Sequence, residues 1–94
     1  MKTTKVTLKF PAQFSRYINR IDTVEFEGEK VSDFIDYLDK TYGNIKERIL
    51  DNDNKIRPYI NLFAGKKNVE AINGMDTIIM DGECISLLLS RAGG

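Results

Sequence analysis

The fold depends most on residues 31–43, which read VSDFIDYLDKTYG. Apolar side chains recur at positions 31, 34, 35, 38 and 42, and this spacing places all five on one face of an α-helix. Gly43 follows at once and is a natural stop, since glycine readily adopts the left-handed backbone that ends helices. The start is less sharply marked, because Ser32 is a good capping residue that lies one position inside the apolar pattern. The stretch predicts an amphipathic helix whose apolar face covers a sheet.

Two strands are predicted before this helix. Val6, Leu8 and Phe10 alternate with polar residues, which is the period-two pattern of a half-buried strand, and Pro11 then removes a ladder donor. A second strand is predicted over residues 21–27, before a glycine. We expect the two strands to pair as a hairpin.

Shorter segments follow the helix. The sequence predicts a short helical or irregular cover at residues 45–50, a strand over residues 58–64, a turn and a brief extended piece over residues 65–69, a short apolar strand over residues 75–80, and a last strand over residues 84–89. Asp81-Gly82, before the last strand, is a tight-turn signal. By strand alternation, Ile85 and Leu87 face one side of the last strand, whereas Leu88 faces the other.

This order of elements indicates an α+β fold in which a mixed sheet packs on one main helix. A ubiquitin-like β-grasp roll meets that description. A ferredoxin-like sandwich would need a second long amphipathic helix, and only residues 45–50 compete for that role. We expect one domain over residues 1–89 and a flexible C-terminal tail over residues 90–94, because the tail has no apolar side chain larger than alanine.

Composition excludes several function classes. The chain has 94 residues, and its 14 Lys and Arg against 14 Asp and Glu leave no basic excess for nucleic acid or an anionic membrane. It has no histidine, which removes the commonest general base and the commonest zinc ligand. Cys84 is the only cysteine, which fits a reducing cytoplasmic setting, and the DNDN run at residues 51–54 lacks the Gly and Glu of a calcium loop. We therefore expect a cytoplasmic protein that is neither an enzyme nor a metal protein.

The last five residues, SRAGG at positions 90–94, are the sharpest feature of the sequence. Fully extended, they reach about 17 Å, which is enough to enter the active site of a partner while the globule stays outside. Gly93 and Gly94 have no Cβ, so they can pass through a slot too narrow for other residues. The reacting group would then be the carboxylate of Gly94. The alternative is that the two glycines are only a frayed end.

The whole pattern resembles a known family. The terminal Gly93-Gly94 follows a strand that is preceded by an Asp-Gly-Glu turn at residues 81–83. This arrangement resembles the ThiS/MoaD-type sulfur carrier family, which includes the small subunit of molybdopterin synthase and the carrier of the thiamin pathway. Residues 42–43, 48–51 and 57–61 look closest to the longer members, including the carrier used for cysteine synthesis.

The resemblance implies a sulfur donor that is not itself a catalyst. A ubiquitin-activating-type enzyme would use ATP to adenylate the carboxylate of Gly94, which would then be converted to a thiocarboxylate. The sulfur would pass to a synthase or large subunit in molybdopterin, cysteine or homocysteine, or thiamin biosynthesis, and the carrier would bind no cofactor. Two alternatives stay open: a ubiquitin-like modifier joined to lysines through Gly94, and an interaction module with an inert terminus.

A docking patch is expected beside the tail. Leu88 should face away from the core, with Tyr59 and Phe63 flanking it, so that an exposed apolar patch results. Related carriers dock by such a patch. The residues predicted to bind a partner are therefore Tyr59, Phe63, Leu88, Arg91, Ala92 and Gly93. The alternative is that Tyr59 and Phe63 pack under the loop at residues 51–55.

Overall fold

The chain folds into a mixed sheet that is covered by one long helix. The computed structural model describes residues 2–14, 16, 18 and 21–90. Within them, the strands are β1 (Thr3–Lys9), β2 (Ile21–Glu27), β3 (Ile60–Ala64), β4 (Lys67–Asn68) and β5 (Cys84–Leu89). The helices are α1 (Val31–Tyr42) and α2 (Lys46–Ile49), with single-turn 3₁₀ helices at Ala12–Phe14, Val69–Ala71 and Gly74–Asp76. No helix in this described part is long and apolar enough to cross a membrane.

The sheet order is β2-β1-β5-β3-β4. Strands β1 and β5 run parallel at the centre, and each of the other neighbouring pairs is antiparallel. Strands β1 and β2 pair with one another along their full lengths, as the predicted hairpin requires. The prediction of an α+β fold with a mixed sheet on one main helix is confirmed.

Helix α1 spans the predicted residues and packs its apolar face on the sheet. The side chains of Val31, Phe34, Ile35 and Leu38 are fully buried. The ring of Phe34 meets that of Phe26 on β2 edge-on, with centroids 5.5 Å apart. Such aromatic pairs contribute about 1 kcal/mol beyond the burial of their area, so this contact fixes the helix over the β2 side of the sheet.

Both ends of α1 are closed by hydrogen bonds. At the start, Oδ2 of Asp33 accepts from the backbone N–H groups of Glu29 and Lys30, both at 3.1 Å. Asp33, and not Ser32, therefore accepts hydrogen bonds from the amides at the start of the helix. A carboxylate at the third helical position can reach back to these donors, which have no intrahelical partner. At the end, Gly43 takes a φ of +79° and donates to the carbonyl of Asp39 at 2.9 Å.

The turn before β5 fixes how that strand lies beside β1. Oδ1 of Asp81 accepts from the N–H of Lys5 at 2.7 Å, and the carbonyl of Lys5 accepts from the N–H of Gly82 at 2.7 Å. The N–H of Thr7 then donates to the carbonyl of Glu83 at 3.0 Å. Gly82 has a φ of +86°, a backbone conformation that favours glycine. The predicted tight turn is confirmed, and it sets the register of the central parallel pair.

Strand β3 begins later than predicted, at Ile60. Pro58 has no N–H to give to a ladder and fixes its own φ, so it lies with Tyr59 in a turn. The N–H of Ile60 closes that turn by donating to the carbonyl of Arg57 at 2.9 Å.

The expected strand over residues 75–80 and the extended piece at Val69 are wrong. Val69 begins a 3₁₀ turn, and residues 75–80 contact the start of α1 through a single β-bridge between Ile78 and Lys30. The first amide of α1 donates to the carbonyl of Thr77 at 3.0 Å. A helix amide that lacks an intrahelical partner thus holds this segment away from the sheet.

The segment after α1 forms the predicted cover and loop. Ile45 and Ile49 are fully buried. In the loop that follows, Oδ1 of Asp51 accepts from the backbone N–H groups of Asp53 and Lys55, at 2.8 Å and 3.0 Å. The hydrogen bond from Lys55, with that from Asp53, lowers the pKa of the Asp51 carboxyl below its ordinary value. Among the described residues, no group of three or more His, Cys, Asp or Glu side chains is placed to hold a metal ion.

Two neighbouring residues of β5 provide a test of which side of the strand faces the core. Leu87 is 1% exposed and Leu88 is 54% exposed. We expect Leu87→Ala to lower the free energy of unfolding by about 2–5 kcal/mol, because it leaves a cavity in the core. Leu88→Ala should change it by less than about 0.5 kcal/mol. Urea unfolding of both variants measures the difference, and equal losses would contradict the assigned phase.

The Asp51 loop predicts a dependence of stability on pH. Because the folded-state pKa of Asp51 is lowered, its ionised form stabilises the fold at pH values above the unfolded pKa of about 3.9. This contribution is lost as the pH falls through the folded-state pKa. Asp51→Asn keeps an oxygen acceptor without the charge, so the melting temperature of the wild-type protein should exceed that of the variant near pH 7. The gap should close in acid, and a gap of the same size at every pH would contradict the prediction.

Candidate functional site

The open side of the sheet carries the predicted docking residues between β3 and β5. We call this surface the β3–β5 face and define it by Asn61, Phe63, Ser86 and Leu88. Asn61 pairs with Leu88, and Phe63 pairs with Ser86. Leu88 is 54% exposed, Phe63 is half-buried, and helix α1 covers the opposite side of the sheet.

Leu88 and Phe63 are diagonal neighbours on this face. Diagonal partners in antiparallel sheets lie about 7–8 Å apart, within reach of large apolar side chains. The outward orientation predicted for Leu88 is confirmed, and the structure also resolves the phase of Phe63, which the sequence left open. The role of both residues in binding a partner stays a prediction.

Tyr59 lies next to the β3–β5 face, opposite Ser90, and also borders a groove. Its side chain is 41% exposed and lines an open groove of about 920 Å³, together with Phe14, Asn52 and Leu89. Leu88 does not line this groove. Phe63 and Leu88 share the sheet surface. Tyr59 stands beside the loop that follows α2 without being buried under it, and the prediction that it flanks Leu88 stays a prediction.

The backbone of Tyr59 holds Ser90, the last described residue. Its carbonyl accepts from the N–H of Ser90 at 2.8 Å and from the Oγ hydroxyl of Ser90 at 3.3 Å. Ser90 thus extends the ladder between β3 and β5 and is held by the domain. The other predicted tail residues lie outside the described residues, namely Arg91, Ala92, Gly93 and Gly94. Four extended residues reach about 13 Å, and the flexibility of the tail stays a prediction.

Polar groups surround the apolar centre of the β3–β5 face. Lys9 of β1 lies beside Ser86 and is exposed, while Asn61 lies opposite Leu88. Sequence reasoning missed Lys9 and Asn61, because only the sheet order shows which strands flank β5. Cys84 is half-buried on the same side, with its Sγ 3.8 Å from the Oγ of Ser86. An apolar centre with a polar rim is the usual composition of a protein–protein contact.

Comparison with known proteins places the chain among sulfur carriers. No protein-family model matches it. It is 31% identical over 91 residues to a putative sulfur carrier protein of Archaeoglobus fulgidus. The aligned part covers 95% of this chain and 98% of that protein. It is 26% identical over 91 residues to the sulfur carrier protein CysO of Mycobacterium tuberculosis, with the same coverage of each chain.

The fold agrees with these alignments. A chain in the crystal structure of the Amycolatopsis orientalis BexX/CysO complex superposes with a TM-score of 0.80 at 26% identity, over 95% of this chain and 99% of that one. The predicted ubiquitin-like β-grasp is therefore confirmed. Because the fold and the near full-length alignments agree, the chain belongs to the ThiS/MoaD-type sulfur carrier family.

Proposed function

We propose that this carrier holds its sulfur as a thiocarboxylate at Gly94. In the first step, the Gly94 carboxylate attacks the α-phosphorus of ATP in a ubiquitin-activating-type enzyme, so that an acyl-adenylate forms and pyrophosphate leaves. In the second step, a sulfide nucleophile attacks the acyl carbon, a C–S bond forms and AMP leaves. The chain supplies the reacting carboxylate and binds no cofactor of its own.

The position of Ser90, the last described residue, is the observation that carries this proposal. Ser90 is bonded to the Tyr59 carbonyl and lies two residues beyond the exposed Leu88. A partner that covers the β3–β5 face would therefore receive the next residues of the chain directly. The remaining four residues, reaching about 13 Å, end in the narrow pair Gly93-Gly94 and can enter a deep active site.

Activation is necessary because a carboxylate is a poor electrophile. Its negative charge is delocalised over both oxygens, and neither oxygen is a good leaving group. The adenylate solves both difficulties. The thiocarboxylate that follows keeps sulfur covalently attached yet nucleophilic, so the cell avoids free sulfide.

The acceptor that we propose is a synthase or large subunit in molybdopterin, cysteine or homocysteine, or thiamin biosynthesis. The complex of Amycolatopsis CysO with BexX supports docking of a similar carrier on a partner protein. The β3–β5 face and the residues from Arg91 to Gly93 would bind that partner and the activating enzyme in turn. We place this exchange in the reducing cytoplasm, where the free thiol of Cys84 would stay reduced.

Reconstitution with the host's activating enzyme, ATP and sulfide tests the proposal. Intact-mass spectrometry should show that one oxygen of the Gly94 carboxylate is replaced by sulfur. Leu88→Asp puts a charge at the centre of the β3–β5 face and should lower the rate about tenfold at low carrier concentration, because apolar interface anchors contribute roughly 1–2 kcal/mol. Met80→Asp is the matched control, since Met80 is 64% exposed outside that face, and it should leave the rate unchanged.

Removal of Gly94 tests the role of the tail separately from the role of the docking face. The shortened protein should keep its melting temperature and gain no sulfur. Equal effects of the two aspartate substitutions would contradict docking through Leu88. Absence of sulfur on the full chain, with isopeptide conjugates to lysines appearing in host extract, would contradict sulfur donation and favour the protein modifier.

A further inference from the structure

The outer edge of β2 is a second surface that can bind a protein chain. Strand β2 is an end strand of the sheet and has seven residues, whereas β4 at the other end has two. An end strand presents a row of backbone N–H and C=O groups that can pair with another extended segment. The length of β2 makes its edge the longer of the two.

The hydrogen bonds of β1 determine which groups of β2 face outward. Lys5 and Thr7 direct their backbone N–H groups toward the β5 side, to Asp81 and Glu83. Since the bonding direction alternates along a strand, the residues between them bond to β2. The N–H of Gly28 donates to the Lys2 carbonyl at 2.7 Å, which gives the same alternation from the β2 side.

The outward groups of β2 are therefore those of Thr23, Glu25 and Glu27. The N–H of Thr23 is already satisfied, because it donates to Oδ1 of Asp22 at 2.8 Å. Within the described residues, no hydrogen bond is seen to the outward backbone groups of Glu25 and Glu27. Both of these residues are exposed, so the open part of the edge lies at the end of β2 nearest α1.

The β2 edge is acidic. Residues 21–29 read IDTVEFEGE, with four acidic residues and no basic one, in a chain whose net charge is zero. Lys2 reaches Glu29 at 3.0 Å and Lys5 lies opposite Glu25, whereas Glu27 lies opposite Thr3; both Glu25 and Glu27 are exposed. Pairing of two copies through β2 would bring their acidic side chains together, and like charges across a strand pair are destabilising.

We propose that the β2 edge binds an extended protein segment in which Lys or Arg alternates with apolar residues, and adds it to the sheet as a further strand. The basic side chains would lie beside Glu25 and Glu27, and the apolar ones beside Val24 and Phe26 on the core side. Strand β1 gives one instance of such a pairing from the other side, with Lys5 opposite Glu25 and Val6 opposite Val24.

This inference does not depend on the proposed function. Strand β1 separates β2 from β5, and adjacent strands lie about 4.8 Å apart, so a segment on the β2 edge leaves the β3–β5 face free. A carrier could thus bind such a segment and present its tail to a second protein at the same time.

Titration of the ¹⁵N-labelled full chain with a blocked peptide of alternating lysine and valine, seven residues long, tests the proposal. Amide shifts should change at Thr23, Glu25 and Glu27, and the amides of Glu25 and Glu27 should exchange with solvent more slowly as they form hydrogen bonds. The affinity should fall as salt is added. A peptide with glutamate in place of lysine should not bind.

Charge removal provides the matched variants. Glu25→Gln combined with Glu27→Gln should weaken peptide binding about three- to tenfold, because exposed charge pairs contribute modestly. Both side chains are exposed, so the melting temperature should hold. Glu70→Gln, an exposed position after β4, should leave binding unchanged. The proposal is overturned if the shifts map to the β3–β5 face, if the double variant binds as well as the wild type, or if the protein pairs with itself at these amides.

Discussion

The parallel pairing of β1 with β5 is the contact on which the rest of the structure depends. The carboxylate of Asp81 and the amide of Gly82 both bond to the backbone of Lys5, so the chain can enter β5 in only one register. A shift of one residue would exchange the faces of β5 and place Leu88 in the core and Leu87 in water. The register therefore decides both how the core is filled and which side chain the open face presents. It also places Ser90 beside the Tyr59 carbonyl.

The domain and its tail divide the work of a sulfur carrier. One side of the sheet is closed by α1, whose buried face stabilises the fold, and the other side stays open around Leu88. The reactive group that we propose is the terminal carboxylate of Gly94, which the domain would bring to other proteins. The acidic edge of β2, which neither the core nor the tail uses, is the second binding surface that we propose. A protein of this size can thus meet more than one partner, since its surfaces lie on different strands.

Strong local periodicity explains what could be predicted from the sequence. Helix α1 and strand β5 have the predicted bounds, because their apolar residues repeat without interruption and Gly43 and Gly82 mark the turns. The segment at residues 75–80, wrongly predicted as a strand, is short and apolar. Its backbone accepts a hydrogen bond from the first amide of α1, which lies 46 residues earlier, and no local pattern reveals such a contact. Pro58 shortens β3 because it lacks an N–H group and fixes its own φ, although the residues that follow favour a strand.

The candidate site was predicted less completely than the fold. The outward phase of Leu88 follows from alternation within β5, whereas the phase of Phe63 does not, because apolar side chains lie on both faces of β3. Lys9 and Asn61 could be found only once the neighbours of β5 were known. The chemistry assigned to Gly94 comes from the two terminal glycines and the family resemblance, and the geometry adds the position of Ser90 beside the Tyr59 carbonyl.

The most direct test of the account is the intact mass of the protein purified from its native host, followed by fragmentation to locate any change. We predict a population in which sulfur has replaced one oxygen at the C-terminus, with the change confined to Gly94. A terminus that carries only the unmodified carboxylate, in cells whose growth requires the protein, would contradict the central claim that it carries sulfur there.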